Sequence, residues 1–428
     1  MDSFRRSNGT LYCEEVPLAQ IAASVGTPVY VYSTAAICAQ VERFRRALDP
    51  IDNPLIAYAV KANSNAAVVA TLARNGIGAD IVSGGEYRRA RAAGVPPERI
   101  VFSGVGKTRE EMALALTGGL FQFNIESWAE AEMLSEVAGA LGVTARASFR
   151  INPDVAAGGH AKITTGSAEN KFGIAIGDAR ETYARAARLP NLDLQGVAVH
   201  IGSQLSSLQP FDRAFRKIGA LIGELRSAGH QIRVADLGGG LGVPYDPDAP
   251  MPPSPADYGK MVRDVSRDWN VRLVFEPGRL IVANAGVLVS RVIRLKPGSR
   301  HPFVIVDAAM NDLMRPALYE AWHKIEAVAP SGESWTANVV GPVCETGDTF
   351  ATARVMDRVE SGDLVVFRTA GAYAATMAST YNSRPLTPEV LVDGDRWAVV
   401  RPRVDVEALI AAESIPEWLA GCAGGGSD

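Results

Sequence analysis

Residues 53–82 read NPLIAYAVKANSNAAVVATLARNGIGADIV, and this stretch decides the fold. NPLIAYAV is an apolar run of strand length. AAVVATLARNG carries apolar residues at helical spacing and closes on Gly76, a common helix stop. GIGADIV is a second strand signal. Strand, helix and strand in succession argue parallel pairing through a crossover helix. The pattern continues downstream. RIVFSG around Ser103, LFQFNI ending near Ile125 and RASFRIN ending at Asn152 are further strand signals, followed by LQGVAVHI around His200, IRVADL before Gly238 and VRLVFE ending at Glu276. Helical stretches such as GEYRRARAAG, REEMALALTGG and SWAEAEMLSEVAGALG lie between them. Eight such units over residues 31–280 match an α/β fold, the (β/α)8 TIM-like barrel of about 250 residues. An open doubly wound sheet usually breaks off after fewer strands.

After about Ala285 the texture changes. GVLVSRVIRL, HPFVIVDAA, TANVVGP, DLVVFRTAGAY and RWAVVRPRV are short strand-like runs separated by turn residues. Only ALYEAWHKI, after Pro316, reads as a helix there. This predicts an all-β domain following the barrel. TLYCEE and PVYVYS near the start also read as strands, and TLYCEE precedes any barrel strand. The expected division is therefore residues 1–30 as N-terminal strands packing with the β domain, 31–282 as the barrel and 283–428 as the C-terminal β domain.

Bulk properties bound the function. The 428 residues carry 43 Lys and Arg against 47 Asp and Glu, a net charge of −4. That balance offers no electrostatic footprint for nucleic acid and no basic anchor for a membrane surface. The apolar share of 47% and charged share of 21% exclude a disordered or collagen-like chain. Cys13, Cys38, Cys344 and Cys422 form no Cys-x-x-Cys pair, so neither a zinc site nor a disulfide framework is expected. MDSFRRSNGTLYCEEVP has no apolar core of a signal peptide, and no apolar run approaches ~18 residues. A cytoplasmic protein without metal is expected.

In barrels of this class the active site sits at the C-terminal ends of the strands. The first strand ends in Lys61, and the second carries Asp80 ahead of Ser83-Gly84-Gly85. The sixth ends in His200 before Gly202-Ser203. The seventh runs into Asp236-Leu237-Gly238-Gly239-Gly240, and the eighth into Glu276-Pro277-Gly278-Arg279. Lysine is scarce, and Lys61 alone directly follows a strongly apolar run. Held against apolar surface, its amine has a lowered pKa and can act as a nucleophile or imine former; it could also snorkel out of a strand end. The glycine run can cradle an anion with free backbone N–H groups, or it can be a tight turn that needs positive φ. Its spacing is not a dinucleotide fingerprint. His200 alone reads as a strand-end histidine, and Glu276 alone as a carboxylate in a salt bridge. Together they describe a pyridoxal phosphate site: a lysine for the imine, an acid for the ring nitrogen, a flat group for the ring and donors for the phosphate. In the β domain, Cys344 beside acids in GPVCETGD (341–348) is either a reactive thiol or a structural one. Arg315 reads by default as a surface charge at a helix start.

YAVKANSN (58–65), ADIVSGGE (79–86), HIGSQ (200–204), DLGGGLG (236–242), EPGR (276–279), GPVCETGD (341–348) and GAYAATMASTYNSRP (371–385) resemble the fold-type III pyridoxal phosphate decarboxylases. RPALYEAWH (315–323) and ENKFGI (169–174) look like the diaminopimelate branch rather than the ornithine or arginine branches. The resemblance covers nearly the whole chain in order. It implies pyridoxal 5′-phosphate as cofactor, Lys61 as the residue of the internal aldimine, Glu276 on the pyridinium nitrogen and His200 stacked on the ring. Asp80 joins the cofactor-binding set. Ser203, Gly238, Gly239, Gly240, Gly278, Arg279 and Tyr373 would surround the phosphate or lie next to it. Arg279, Arg315 and Tyr319 would hold the distal carboxylate of meso-2,6-diaminopimelate, with Tyr373 beside them. Cys344, the donor of a proton to Cα, and Glu345, the reader of the distal ammonium, would reach in from the partner subunit of a homodimer. The loop AAGGHAKITTGSAE (156–169) would close over the site. The product would be L-lysine and carbon dioxide, through a quinonoid. The alternatives are a related decarboxylase of ornithine, lysine or carboxynorspermidine, a racemase, whose lysine usually has a tyrosine soon after it, and a carrier of the cofactor, which resembles the barrel alone.

Overall fold

The structure, a computed structural model, describes residues 3–156 and 171–420. The expected closing loop from residue 157 onward and the tail GCAGGGSD lie outside the described residues. Eight parallel strands form a closed ring: β1 (Leu55–Ala59), β2 (Gly78–Ile81), β3 (Ile100–Phe102), β4 (Gln122–Ile125), β5 (Ala145–Asn152), β6 (Leu192–Val199), β7 (Val234–Asp236) and β8 (Arg272–Phe275). Each pairs in parallel with the next, and β8 closes on β1 through Val274 opposite Leu55. All eight strand signals of the sequence are strands of this ring.

The period of two along a strand sorts the barrel interior into layers. Leu55, Ala57, Val101, Phe121, Val234 and Val274 form an apolar plug of buried side chains. Two residues further along the strands, Val101 gives way to Ser103, Val234 to Asp236 and Val274 to Glu276, all buried. Polar groups at this depth must be bonded. The Asn124 side-chain amide donates to Asp236 at 2.8 Å, and Gln122 donates to Asn124 at 2.9 Å. The ring therefore has an apolar floor and a polar mouth, and the mouth is the C-terminal end.

A second sheet runs, in order, Thr349–Asp357, Ser334–Val340, Phe303–Val306, Gly286–Lys296, Val29–Ser33, Glu389–Asp393 and Arg396–Arg401. Leu364–Phe367 pairs with both Gly286–Lys296 and Ile325–Ala327. The domain boundary expected between residues 30 and 31 falls inside Val29–Ser33, a strand of this second sheet. VYVYS is buried throughout, so its sequence resembles a buried barrel strand. Thr10–Cys13 pairs with Arg6–Ser7 and Val16–Pro17 in a small sheet of its own. Leu11 donates its N–H to Val328 O at 2.9 Å, and Leu11, Cys13 and Val16 share a core with Val31, Val289 and Val390.

The expected helix ALYEAWHKI is shorter than its pattern. It spans Arg315–Tyr319 and stops where Glu320 turns left-handed at φ +53°. The chain then turns Trp322 and His323 toward the barrel mouth. Two further helices, Val406–Ala411 and Glu417–Ala420, follow the last strand, so the β domain is not limited to one. No helix among the described residues is long and apolar enough to cross a membrane.

Candidate active site

Lys61 sits in a single 3-10 turn, Val60–Ala62, immediately after β1. The β domain fixes this turn: Tyr373 donates its N–H to Ala62 O at 2.7 Å, and Asn63 donates to Gly371 O at 3.1 Å. The Lys61 ammonium lies 2.7 Å from the buried carboxylate of Asp80, at the end of β2. Burial works to discharge the amine, but Asp80, with Tyr373 and Glu276 beyond it, outweighs burial and holds its pKa above the ordinary lysine range. The lowered pKa expected from the apolar run is therefore corrected. The sequence shows the run but not the carboxylate that β2 brings opposite it.

Glu276 follows β8 and lies beside Asp236, the last residue of β7. Burial first, then Asp236 and Asp80, push its pKa well above the usual carboxylate range. Asp236 is raised as well, chiefly by burial, and is relieved by the Asn124 amide and by the Gly238 N–H at 2.9 Å. Two adjacent buried carboxyls cannot both ionise cheaply, so the pair holds a proton and Glu276 carries it toward Asp236. Ser103 Oγ donates to Glu276 Oε1 at 3.2 Å.

His200, after β6, accepts the Gly239 N–H on Nδ1 at 3.2 Å. Enclosure at the mouth, with Arg150 and Lys61 nearby, pushes the imidazole well below its usual pKa. It is neutral, and the accepted bond places its ring proton on Nε2. The glycines beside it are required by the protein's own packing. A Cβ on Gly239 would stand 2.2 Å from Glu276 O, and one on Gly240, at φ +113°, would stand 2.3 Å from Gly202 O. The tight-turn reading of the run holds: loops cross closely there, and the N–H groups of Gly238 and Gly239 go to Asp236 and His200.

Arg279 begins the short helix after β8. It donates to Tyr245 Oη at 2.6 Å and to Ser203 Oγ at 3.2 Å, and lies 4.7 Å from the ring centre of Tyr373. Tyr373 holds a left-handed backbone at φ +53°, an uncommon state for a bulky residue. Arg315 is not the surface charge expected by default. It is 5% exposed, because the shortened helix points it into the barrel mouth. Its largest influence is burial, which lowers its pKa, with Arg279 acting the same way and Tyr245 against it. A guanidinium stays charged regardless. Among the described residues neither Arg279 nor Arg315 has a carboxylate partner, and the Nε of each is buried without a hydrogen-bond partner.

These groups line one cavity of about 610 Å³: Lys61, His200, Ser203, Gly238–Gly240, Glu276, Gly278, Arg279, Arg315, Tyr319 and Tyr373. An adjoining lobe of about 400 Å³ shares Lys61, His200 and Glu276 and adds Ser103, Asn124, Arg150 and Asp236. Cys344 and Glu345 line neither; both are exposed, and Glu345 hydrogen-bonds Tyr381. Sequence reading missed Tyr245, Phe172 and Trp322 as lining residues and gave Asp236 and Asn124 no role. Strand-end position was a usable signal for Asn124 and Asp236. Tyr245 and Phe172 sit in loops, where position carries no such signal.

The residues fit pyridoxal phosphate. An amine, a proton-holding carboxyl and a neutral imidazole converge at one end. Two buried guanidiniums, without anionic partners among the described residues, stand at the other, and buried charge of that kind is costly unless a ligand completes it. A family described as pyridoxal-dependent decarboxylase, pyridoxal binding domain, matches residues 34–283. The chain is 55% identical to the diaminopimelate decarboxylase of Zymomonas mobilis over 98% of its own length and all of that protein's. It is 52% identical to the enzyme of that name from Pseudomonas fluorescens, over 97% and 99%. Among solved structures, diaminopimelate decarboxylase from M. jannaschii superposes with a TM-score of 0.94 at 36% identity, covering 98% of this chain and 99% of that one.

Proposed function

This chain belongs to the pyridoxal-dependent decarboxylases, in their diaminopimelate decarboxylase branch, and from that premise we propose how its residues divide the work. It decarboxylates diaminopimelate, and we assign meso-2,6-diaminopimelate as substrate and L-lysine as product. The cofactor is pyridoxal 5′-phosphate, which when bound supplies an electron sink for the pair left at Cα. Lys61 would hold it through its amine, with Asp80 as the counter-charge. Glu276 would face the ring nitrogen, held by the Ser103 hydroxyl and the Asn124 amide, and Asp236 would share the pair's proton. Neutral His200 would lie against the ring. Ser203, Arg279 and the N–H groups of Gly240 and Gly278 would take the phosphate, with Gly238, Gly239 and Tyr373 beside them. Arg315, with Tyr319 and the outer edge of Arg279, takes the distal carboxylate, since a guanidinium fork matches a carboxylate bidentately.

Reprotonation of Cα needs a general acid, and we assign it to Cys344, with Glu345 reading the distal ammonium. Both residues lie away from the cavity of their own chain and on its surface. This favours a homodimer in which each chain completes its partner's site. A reducing cytoplasm, which keeps such a thiol free, fits this role.

One observation carries the substrate assignment: two buried guanidiniums share a cavity with Lys61 and lack carboxylate partners among the described residues. Arg279, bonded to Ser203, is placed for the phosphate, which leaves Arg315 for a second anion. The test is product analysis with the cofactor-loaded enzyme, where carbon dioxide and L-lysine should form from meso-diaminopimelate. Turnover of ornithine, lysine or carboxynorspermidine without turnover of diaminopimelate would overturn the assignment. Mixing Lys61→Ala with Cys344→Ala chains should restore part of the activity each lacks. No recovery in confirmed heterodimers would remove the shared site.

A further inference from the structure

His323 is buried at 1% exposure, eight residues after Arg315, beyond the left-handed turn at Glu320. Its Nε2 lies 2.8 Å from Arg315 Nη1, and its Nδ1 lies 2.8 Å from Arg368 O. A guanidinium has no acceptor, and a carbonyl has no donor. The two contacts therefore fix the tautomer: Nδ1–H donates to Arg368 O, and the bare Nε2 accepts from Arg315. Burial, then Arg315, push the imidazole down to about 3, so it stays neutral at any working pH.

The choice of a neutral partner matters chemically. A carboxylate in this place would orient the guanidinium but also spend its charge on the protein. An imidazole Nε2 orients it and leaves the full charge for a ligand. Tyr245 completes the frame. Its ring centre lies 4.4 Å from the Arg315 guanidinium and 5.8 Å from that of Arg279, and its ring stands edge-on to His323 at 5.4 Å. The aromatic face supplies the attraction that two like charges withhold from each other. Arg315 Nε has no partner among the described residues, so the tether holds one edge of the fork and leaves another for a ligand.

We propose that His323 is a positioning residue that sets the Arg315 guanidinium as a fixed, fully charged reader of a carboxylate remote from the reacting carbon, and so governs the preference for substrates that carry one. This rests on the reading of Arg315 as the distal-carboxylate contact. His323 itself touches neither substrate nor cofactor.

The test compares His323→Phe, which keeps the ring shape but removes the acceptor, with His323→Gln, whose carbonyl can accept from Arg315. Both are measured as cofactor-loaded enzyme beside Arg315→Ala. His323→Phe should raise KM for diaminopimelate about tenfold, the effect of a lost buried acceptor, with a smaller fall in kcat. Inhibition by L-lysine, which keeps the remote carboxylate, should weaken by the same factor, while inhibition by cadaverine, which lacks it, should not change. His323→Gln should recover most of the loss. If His323→Phe leaves KM and L-lysine inhibition unchanged while Arg315→Ala weakens both, the positioning role is overturned and the reading of Arg315 stands. If Arg315→Ala also leaves both unchanged, that reading falls, and this proposal with it. If both His323 variants lose cofactor binding and Tm alike, His323 is structural and the proposal is overturned.

Discussion

At the Lys61 end of the cavity three buried carboxyl groups, Asp80, Asp236 and Glu276, surround one amine. At the other end two buried guanidiniums, Arg279 and Arg315, share the ring of Tyr245. Both ends gather like charges in a place where water cannot shield them, and they settle the conflict differently. The carboxyl end settles it internally: Asp80 pairs with Lys61, and Glu276 shares a proton with Asp236. Among the described residues the guanidinium end has only neutral partners, Ser203, Tyr245 and His323, and so keeps its charge for a ligand. Protons can be redistributed at the first end, while at the second the charge is fixed. The first is suited to chemistry and the second to recognition.

Three substitutions test that division, and a fourth probes the Glu86 carboxyl, which feels both Lys61 and Asp80. The largest effect is expected from Lys61→Ala, which removes the amine paired with Asp80. Carbon dioxide release should fall on the order of 10³-fold or more, and the absorbance of the bound cofactor should change with it. Residual turnover near the wild-type rate would mean that the carboxyl end is not where the chemistry lies. Arg315→Met comes next. It should raise KM for diaminopimelate about 10²-fold, as expected for a lost charge-assisted contact, with kcat less affected. A fall in kcat at unchanged KM would erase the distinction between the two ends.

Asp80→Asn should act more gently. Asp80 raises the pKa of Lys61, and only the neutral amine can attack the cofactor aldehyde. The variant should therefore reload with pyridoxal phosphate faster than wild type at a given neutral pH, and its rate-against-pH curve should move to lower pH. A stopped-flow absorbance series would show this, and a shift to higher pH would contradict the pairing. Glu86→Gln is the smallest. Burial raises the Glu86 carboxyl to about 7 from its ordinary 4.5. The folded state thus binds this proton more tightly than the unfolded state, and stability is lost as pH rises from the lower value through the upper. The variant should melt about 2 °C above wild type near pH 8, and the difference should vanish near pH 4.5. An equal difference at both pH values would show that Glu86 does not titrate in this window.

Most of the barrel was legible because each strand is a short apolar run ended by a polar residue, as in LIAYAVK and VRLVFE. The same rule placed Lys61, His200, Glu276 and Arg279 at the mouth. Val29–Ser33 defeated it, since a central strand of the second sheet and a barrel strand are both buried on two faces and read alike. Asp80 was visible, but its effect on Lys61 depends on the lateral pairing of β1 with β2, where Ala59 lies opposite Asp80. Tyr245 and His323 were not visible as site residues. One is in a loop after β7 and the other follows a truncated helix in the second domain. The helix pattern in ALYEAWHKI concealed the turn at Glu320 that brings His323 round to Arg315.

The placement of Val29–Ser33 has a consequence for how the chain is made. This strand leaves the ribosome early, yet its partners are Gly286–Lys296 and Glu389–Asp393. At typical translation speeds its last partner follows roughly 20–70 s later. Throughout that interval VYVYS is an unpaired, β-prone segment of the kind that seeks any exposed edge, while the barrel downstream of it can already close. A nascent chain stopped between Phe275 and Glu389 thus carries all eight barrel strands tied to an adhesive segment, and the arrival of Glu389–Asp393 is what silences it.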